Sequence, residues 1–489
     1  MGGLSLYDEG TMKNIVCFAV FVLLAFSWML EKVSAQSFLF GADLSYINEM
    51  EDCGVVYKEN SEVKDPYQIF AGNNCNLVRL RLWHTPSWYD NLNSGNRYSD
   101  FQDVRKSIMR AKAAGMQVLL DFHLSDNWAD PEKQRVPAAW EAVVNNLPVL
   151  KDSLYNYISN TLLALDSDGL LPEMVQIGNE TNKGILLSPQ DDASGWVLDW
   201  NRNSQLFKRA IQAVRDVENT TGKKIKVAIH IADPSKTAWF IENFWKNGVT
   251  DFDIIGMSYY WAWHKPVDID DTGMIVAQLK QAYPGKAVMI FETGYIWTTA
   301  SNDNAGNIIS AVHPAYAPAS PENQQKWLID MTQEVMNKGA AGVIYWEPAW
   351  VSSPCWTQWG QGSHQEHAAF FDFNDNVLPN GGMYWMTHDY QGSVSAKETL
   401  KANTLEAYPD SNHRNVIIRL EEIKPAHELE VRLMGNDGRW LLSQRFPRQN
   451  GALQELHLTL PDLAPGIYFV VAYQGNKIWA MKRLWLHQP

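Results

Sequence analysis

Cysteine is scarce, at four residues in 489. Cys17 lies in an apolar N-terminal run, which leaves Cys53, Cys75 and Cys355 without the close spacing that zinc sites show. Two readings of these three stay open: a Cys53–Cys75 disulfide in an oxidising compartment, or three buried thiols. Runs of lysine and arginine are missing and the formal net charge is −14. A phosphate-binding surface needs clustered cations, so nucleic acid is excluded as a partner and a neutral ligand suits the chain better. There is no low-complexity tract and no repeat of 20–50 residues. The only long uncharged apolar run, Ile15–Leu30, follows Lys13 and precedes the small-residue stretch Val33-Ser34-Ala35. That pattern predicts a signal peptide over residues 1–35, cleaved before Gln36. The mature protein is then secreted or held at the cell surface, with no stable membrane insertion. A retained anchor is the alternative, and the run is marginally short for spanning.

What the chain does have is enough apolar surface for a large core, with 46% hydrophobic and 20% charged residues. Short β-rich runs alternate with longer amphipathic stretches from Phe38 to about Trp346. The runs are Phe38–Ala42, Leu77–Leu82, Gln117–Phe122, Met174–Ile177, Lys226–Ile229, Ile254–Met257, Ala287–Phe291 and Gly342–Tyr345, with helices such as Val104–Ala114, Leu147–Leu165 and Glu322–Asn337 between them. Eight strand–helix units predict a closed (β/α)8 barrel over residues 36–400. Beyond residue 400 the pattern becomes strand-like runs divided by Gly, Pro, Asn and Asp. This predicts a linker over 401–412 and a small antiparallel β-sandwich over 413–489.

The residues that leave each strand carry the functional signal. They are Asp43, Trp83 and His84, His123, Asn179 and Glu180, His230, Tyr259 and Tyr260, Glu292, then Trp346 and Glu347. In a barrel these ends share one face, so distant residues converge on one cleft. A carboxylate directly after a buried strand costs free energy unless it faces such a site. Glu180 and Glu292 stand at the ends of the fourth and seventh strands. A glycosidase needs one carboxyl group to protonate the leaving oxygen and another to attack the anomeric carbon; a gap of about 5–5.5 Å between them would predict retention of configuration. Asn179, beside Glu180, is placed to donate to a sugar 2-hydroxyl.

Six ordered segments carry a resemblance: Gly41-Ala-Asp-Leu-Ser45, Val78-Arg-Leu-Arg-Leu-Trp83, Asp121-Phe-His-Leu-Ser-Asp-Asn-Trp-Ala-Asp-Pro131, Gln176-Ile-Gly-Asn-Glu180, Phe291-Glu-Thr-Gly294 and Tyr345-Trp-Glu-Pro-Ala-Trp350. From about Phe38 to Pro379 the chain resembles the endo-β-1,4-galactanases of glycoside hydrolase family 53, clan A. The resemblance implies an endo-acting, retaining hydrolase of the β-1,4-galactan in type I arabinogalactan and pectin. Glu180 would be its acid/base and Glu292 its nucleophile. It also implies Ca²⁺ between the loops after strands seven and eight. Asp303 and Asn307 match its ligands, Ser301 and Ala305 replace others, and Ser363 or Glu366 would have to assist; a calcium-free loop is the equal alternative. The end of the chain, with Leu463-Ala-Pro-Gly-Ile-Tyr-Phe-Val-Val471, resembles type IX secretion sorting domains but lacks their basic tail.

Physical reading supplies the remaining candidates. Two arginines on one buried strand face need acids opposite, so Arg79 or Arg81 is expected to hold Glu292 ionised. Arg81, Trp83, His123, Asp126, Tyr259, Tyr295 and Trp346 complete the expected substrate-binding set, Trp346 as a platform beneath a sugar ring. Tryptophan is abundant, at 21 residues, and many of these fall in the exit loops, which suits a groove that stacks pyranose faces. Trp140, Trp239 and Trp245, inside helical runs, are expected to pack in the core. Two other functions fit the same features: a clan A glycanase acting on mannan, xylan or glucan, and a non-catalytic glycan-binding barrel.

Overall fold

The computed structural model describes residues 38–391 throughout and the strands, with adjoining residues, between 405 and 486. The predicted signal segment, residues 401–404 and 411–412 of the predicted linker and the last three residues lie outside the described part.

Eight parallel strands close into a barrel: β1 (Leu39–Asp43), β2 (Leu77–Leu82), β3 (Gln117–Phe122), β4 (Met174–Ile177), β5 (Lys226–Ala232), β6 (Ile254–Ser258), β7 (Ala287–Glu292) and β8 (Gly342–Tyr345). β8 closes on β1, with Phe40 opposite Val343 and Ala42 opposite Tyr345. The strand runs expected from sequence differ from these by at most three residues at any end. The helices Phe101–Ala113, Leu147–Ser167 and Pro321–Asn337 start behind side-chain caps from Asp100, Asn146 and Ser320, which satisfy the first free N–H groups.

Alternation along the strands divides the barrel interior into two layers. At the N-terminal end an apolar plug is formed by Leu39, Leu77, Leu119, Met174, Ala228, Ile254, Met289, Phe291 and Ile344. Gly256 makes room for it: a Cβ there would lie 2.3 Å from the Phe291 ring. One step further up, the inward positions are polar and buried: Asp43, Arg79, Arg81, Asp121, Gln176, His230 and Ser258. Glu292 joins this layer through a register shift. Met257 pairs with Ile290, but Ser258 pairs with Glu292, which returns to the barrel a residue that plain alternation would turn outward.

After the barrel come two antiparallel sheets. The first orders β9 (Leu405–Pro409), β10 (Asn415–Glu421) and β13 (Leu453–Thr459); the second orders β12 (Trp440–Phe446), β11 (Leu429–Gly435), β14 (Gly466–Gln474) and β15 (Lys477–Leu486). Val416, Ile418 and Leu420 alternate into a core shared with Leu429, Val431, Leu433, Leu456 and Leu458. The expected linker is corrected here. Residues 405–409 form a strand in register with β10, from Leu405 opposite Leu420 to Pro409 opposite Val416. Pro409 sits at the end of this edge strand, where its missing N–H costs no ladder bond.

The cysteines are corrected as well. Cys53 pairs with Cys355, while Cys75 is a free, buried thiol. Because β1 and β8 are neighbours, the segments that follow them meet at the barrel mouth, whereas Cys75 precedes β2 at the opposite rim. Trp245 is also corrected: it is 44% exposed, unlike the buried Trp140.

Candidate active site

The C-terminal mouth of the barrel opens into a cavity of about 610 Å³ lined by both Glu180 and Glu292. Trp128, Trp263, Trp346, Trp350 and Trp359 supply its apolar walls; Asn179, Tyr260, His264 and His364 supply polar groups.

Glu292 is held from two sides. Arg79 Nη1 lies 2.9 Å from its Oε1, and the Tyr260 hydroxyl donates to Oε2 at 3.1 Å. The same guanidinium donates to Asp43 and Asp121 at 2.8 and 2.9 Å, to Asn179 Oδ1 at 2.7 Å and to Gln176 Oε1 at 3.1 Å. One buried cation thus organises three carboxylates and two amides, and it is itself 1% exposed. Burial pushes the Glu292 carboxyl up to about 7, opposed first by Arg79 and then by the Tyr260 hydrogen bond.

Glu180 has no cation touching its carboxyl among the described residues. Its backbone is left-handed, with φ 45°, an uncommon conformation for a residue with a side chain. The turn is braced by Gln134, whose Nε2 donates to the carbonyls of Asn179 and Glu180 at 2.7 and 3.2 Å. Its carboxyl Oε1 lies 2.5 Å from Ser258 Oγ, which in turn is 2.9 Å from His230 Nε2. Burial, and next the charge of Glu292, raise the Glu180 carboxyl well above the ordinary carboxylate range. One carboxyl in contact with a cation and a hydroxyl donor, the other touching no cation and strongly raised, is the asymmetry expected of a nucleophile and a proton donor.

Of the other expected site residues, Asn179 and Trp346 line the cavity. Arg81 does not: it is buried, ion-paired to Glu347 at 2.9 Å, and its guanidinium lies over the rings of Trp128, Trp83 and Tyr46 at 4.2, 4.4 and 4.9 Å. Trp83 is fully buried in that stack, so it supports Trp128 from behind. His123 sits behind the wall, its Nδ1 2.7 Å from Asp121. Tyr259 is fully buried, its hydroxyl on the Val267 carbonyl, and Tyr295 stacks on Trp327. Neither reaches the cavity; Tyr260 does. Asp126 accepts from the Thr85 and Ala138 amides and borders a second, neighbouring cavity. Of Tyr260, Ser258 and Gln134, the sequence reading named only Tyr260, as a strand-exit residue, and none of the three entered the expected substrate-binding set. Alternation along Ile254, Gly256 and Ser258 was the available signal for the first two, since Tyr260 continues the inward series.

Around Asp303 and Asn307 the carboxylates are engaged by the chain itself. Asp303 accepts the amides of Ala305 on one oxygen and of Ser363 and Ser353 on the other. Glu366 accepts from Ser301, Asn302 and Ser352. Asn307 Oδ1 is buried without a hydrogen-bond partner. Among the described residues no three His, Cys, Asp or Glu side chains converge as metal ligands.

Barrel, paired buried carboxyls and tryptophan-walled cavity define a glycoside hydrolase. The model of glycosyl hydrolase family 53 matches residues 39–381. An arabinogalactan endo-beta-1,4-galactanase of Cellvibrio japonicus is 44% identical over 390 residues, covering 79% of this chain and 100% of that protein. An endo-beta-1,4-galactanase of Bacillus subtilis is 34% identical, covering 71% of this chain and 80% of that protein. Among solved structures, the family 53 catalytic domain of Ignisphaera aggregans superposes with a TM-score of 0.64 at 33% identity, covering 73% of this chain and 98% of that one. The chain belongs to glycosyl hydrolase family 53. The family match ends at residue 381, before β9.

Proposed function

We propose that the protein is an endo-acting, retaining β-1,4-galactanase that acts on pectic galactan and type I arabinogalactan outside the cell. The reading is carried by the unequal environments of two glutamates in one cavity: Glu292 on Arg79 and Tyr260, Glu180 on Ser258 alone. The names of the relatives support the substrate, and the tryptophan walls suit a groove for several sugar units. Among the described residues no helix is long and apolar enough to cross a membrane. Export is proposed from the sequence of residues 1–35.

The chemistry follows from the two environments. Ionised Glu292 attacks the anomeric carbon while protonated Glu180 gives its proton to the leaving oxygen; the glycosidic C–O bond breaks and a glycosyl ester forms on Glu292. Glu180, now a carboxylate, takes a proton from water. The water oxygen bonds to the anomeric carbon from the vacated face, the ester bond breaks, and the product keeps the β configuration. Asn179, fixed by Arg79 and by its own bond to the Ala129 carbonyl at 2.8 Å, is poised to donate to the sugar's 2-hydroxyl.

The test is Glu292→Ala assayed on galactan and on an activated aryl galactoside with azide. Turnover should vanish on the polymer, and azide should yield an α-galactosyl azide. Unimpaired polymer cleavage would refute the nucleophile assignment, and cleavage confined to mannan, xylan or glucan would refute the substrate.

A further inference from the structure

The contact between Glu180 and Ser258 can run in either direction, and the groups behind Ser258 decide which. Asn179 Nδ2 donates to the Ala129 carbonyl, and Arg79 Nη2 donates to the other end of the same amide at 2.7 Å, which fixes that end as the oxygen. His230 Nδ1 faces this oxygen at 2.8 Å. An acceptor at that distance requires the ring proton on Nδ1. The longer approaches to Nδ1, Gln176 Nε2 at 3.1 Å and the Glu180 amide at 3.3 Å, are weaker competitors, and Gln176 Nε2 already donates to Asp121 and the Gly178 carbonyl. With the proton on Nδ1, His230 Nε2 is an acceptor, so the Ser258 hydroxyl proton points to it across 2.9 Å. The serine oxygen then presents a lone pair to Glu180, and a 2.5 Å contact between two oxygens needs a proton from the carboxyl side.

We propose that Asn179, His230 and Ser258 form a one-way hydrogen-bond chain that holds Glu180 in its protonated form, with Ser258 and His230 as positioning residues that set the alkaline limit of catalysis. The chain rests on the reading of Glu180 as the proton donor. Other charges facing Glu180 are Glu292 and Asp130, which favour its protonated form, and Arg79, which favours its ionised form. Tyr260 lies close as well. None of these touches the Glu180 carboxyl, so Ser258 is the group whose direction can be changed by a single substitution. His230 stays neutral, because burial and next the nearby Arg79 charge hold its pKa well below the ordinary value. Proton transfer to it is therefore disfavoured, and the acid proton remains on Glu180 for the leaving group.

The experiment is Ser258→Ala in the full chain, reading kcat/KM against pH. Loss of an acceptor for the acid proton weakens the protonated form, so the alkaline limb should move to lower pH by about one unit, a loss of about tenfold on that flank. A serine that donates to a carboxylate predicts the opposite, and an alkaline shift or an unmoved limb would overturn the proposal. A second measurement is independent of catalysis. ¹⁵N-histidine NMR of the resting protein should show His230 protonated at Nδ1, and an Nε2–H ring would overturn the chain whatever the kinetics. If Glu180 proved not to be the acid, Glu180→Ala would depress aryl and polymer substrates alike; the histidine tautomer would still be read separately.

Discussion

Replacing Tyr260 by phenylalanine removes one oxygen from the site and leaves the ring, which is 3% exposed and packs against Trp263 at 4.4 Å between centroids. The lost group is the hydroxyl donating to Glu292 Oε2 at 3.1 Å, while Arg79 stays on Oε1. A hydrogen bond to a charged group contributes about 1.5–3 kcal/mol, and one pKa unit corresponds to about 1.4 kcal/mol. A donor to the ionised form favours that form, so its removal raises the pKa of Glu292, from about 7 upward by about one to two units. Attack requires the carboxylate, so activity is lost as pH falls through this value, and the acid limb of kcat/KM should move to higher pH. The two glutamates titrate as a pair. A Glu292 that is neutral over a wider range repels Glu180 less, so the alkaline limb should fall slightly and the bell should narrow. The assay is initial release of reducing ends from galactan across the pH range, with a thermal melt to show that the fold is intact. An acid limb that stays put or moves to lower pH would refute the argument that this hydroxyl holds the nucleophile ionised.

Two further outcomes follow from the same geometry. Glu180→Ala should depress cleavage of the polymer, whose leaving group needs a proton, by at least about a hundredfold while sparing an aryl galactoside with an acidic phenol. Equal losses on both would remove Glu180 from the acid role. Reducing the Cys53–Cys355 bridge, which closes a loop of 302 positions, should destabilise the protein by about 2–4 kcal/mol. This is read from guanidinium unfolding midpoints with and without reductant, and an unchanged midpoint would show that the loops at the mouth hold without the bond.

The barrel was legible because each strand is a short apolar run ending in a polar or aromatic residue, and the eight runs recur with helical spacers between them. What was not legible depends on position across the barrel. Arg79 and Arg81 both point inward, as alternation requires, but they sit at different heights. The lower one meets Asp43, Asp121 and Glu292; the upper one meets Glu347 and an aromatic stack. The two-residue spacing gives their relative height, but the register shift that brings Glu292 opposite Ser258 is not written in the alternation, so which arginine meets it was not legible. The choice of Tyr259 over Tyr260 failed because Tyr259 turns outward onto the helix side, where it packs on Trp327. Cys53 and Cys355 are far apart in sequence, yet they meet because closure makes the first and last strands neighbours, a consequence of the barrel that could have been applied once eight strands were counted. The loop around Asp303 resembles a metal site in its residue types, and its carboxylates accept from serine hydroxyls and backbone amides, a pairing that only coordinates reveal.

The layering of the barrel explains why the chemistry can sit in so buried a place. A carboxyl group moved from water into a protein interior is destabilised as an anion unless donors replace the lost water. The apolar plug below supplies no hydrogen-bond donors, and the layer above draws many of its donors from the chain. Arg79 supplies five N–H groups in a rigid fork and commits them to Asp43, Asp121, Glu292, Asn179 and Gln176. Lysine could not reproduce that fork with one flexible ammonium, so Arg79→Lys would leave acids unpaired and would disturb Glu292 and Asn179 together. Glu180 stands outside this network, and its carboxyl is in contact with Ser258. One polar layer thereby gives the two carboxyl groups unequal surroundings, Glu292 sharing the arginine and Glu180 resting on Ser258, which is the asymmetry the proposed mechanism needs.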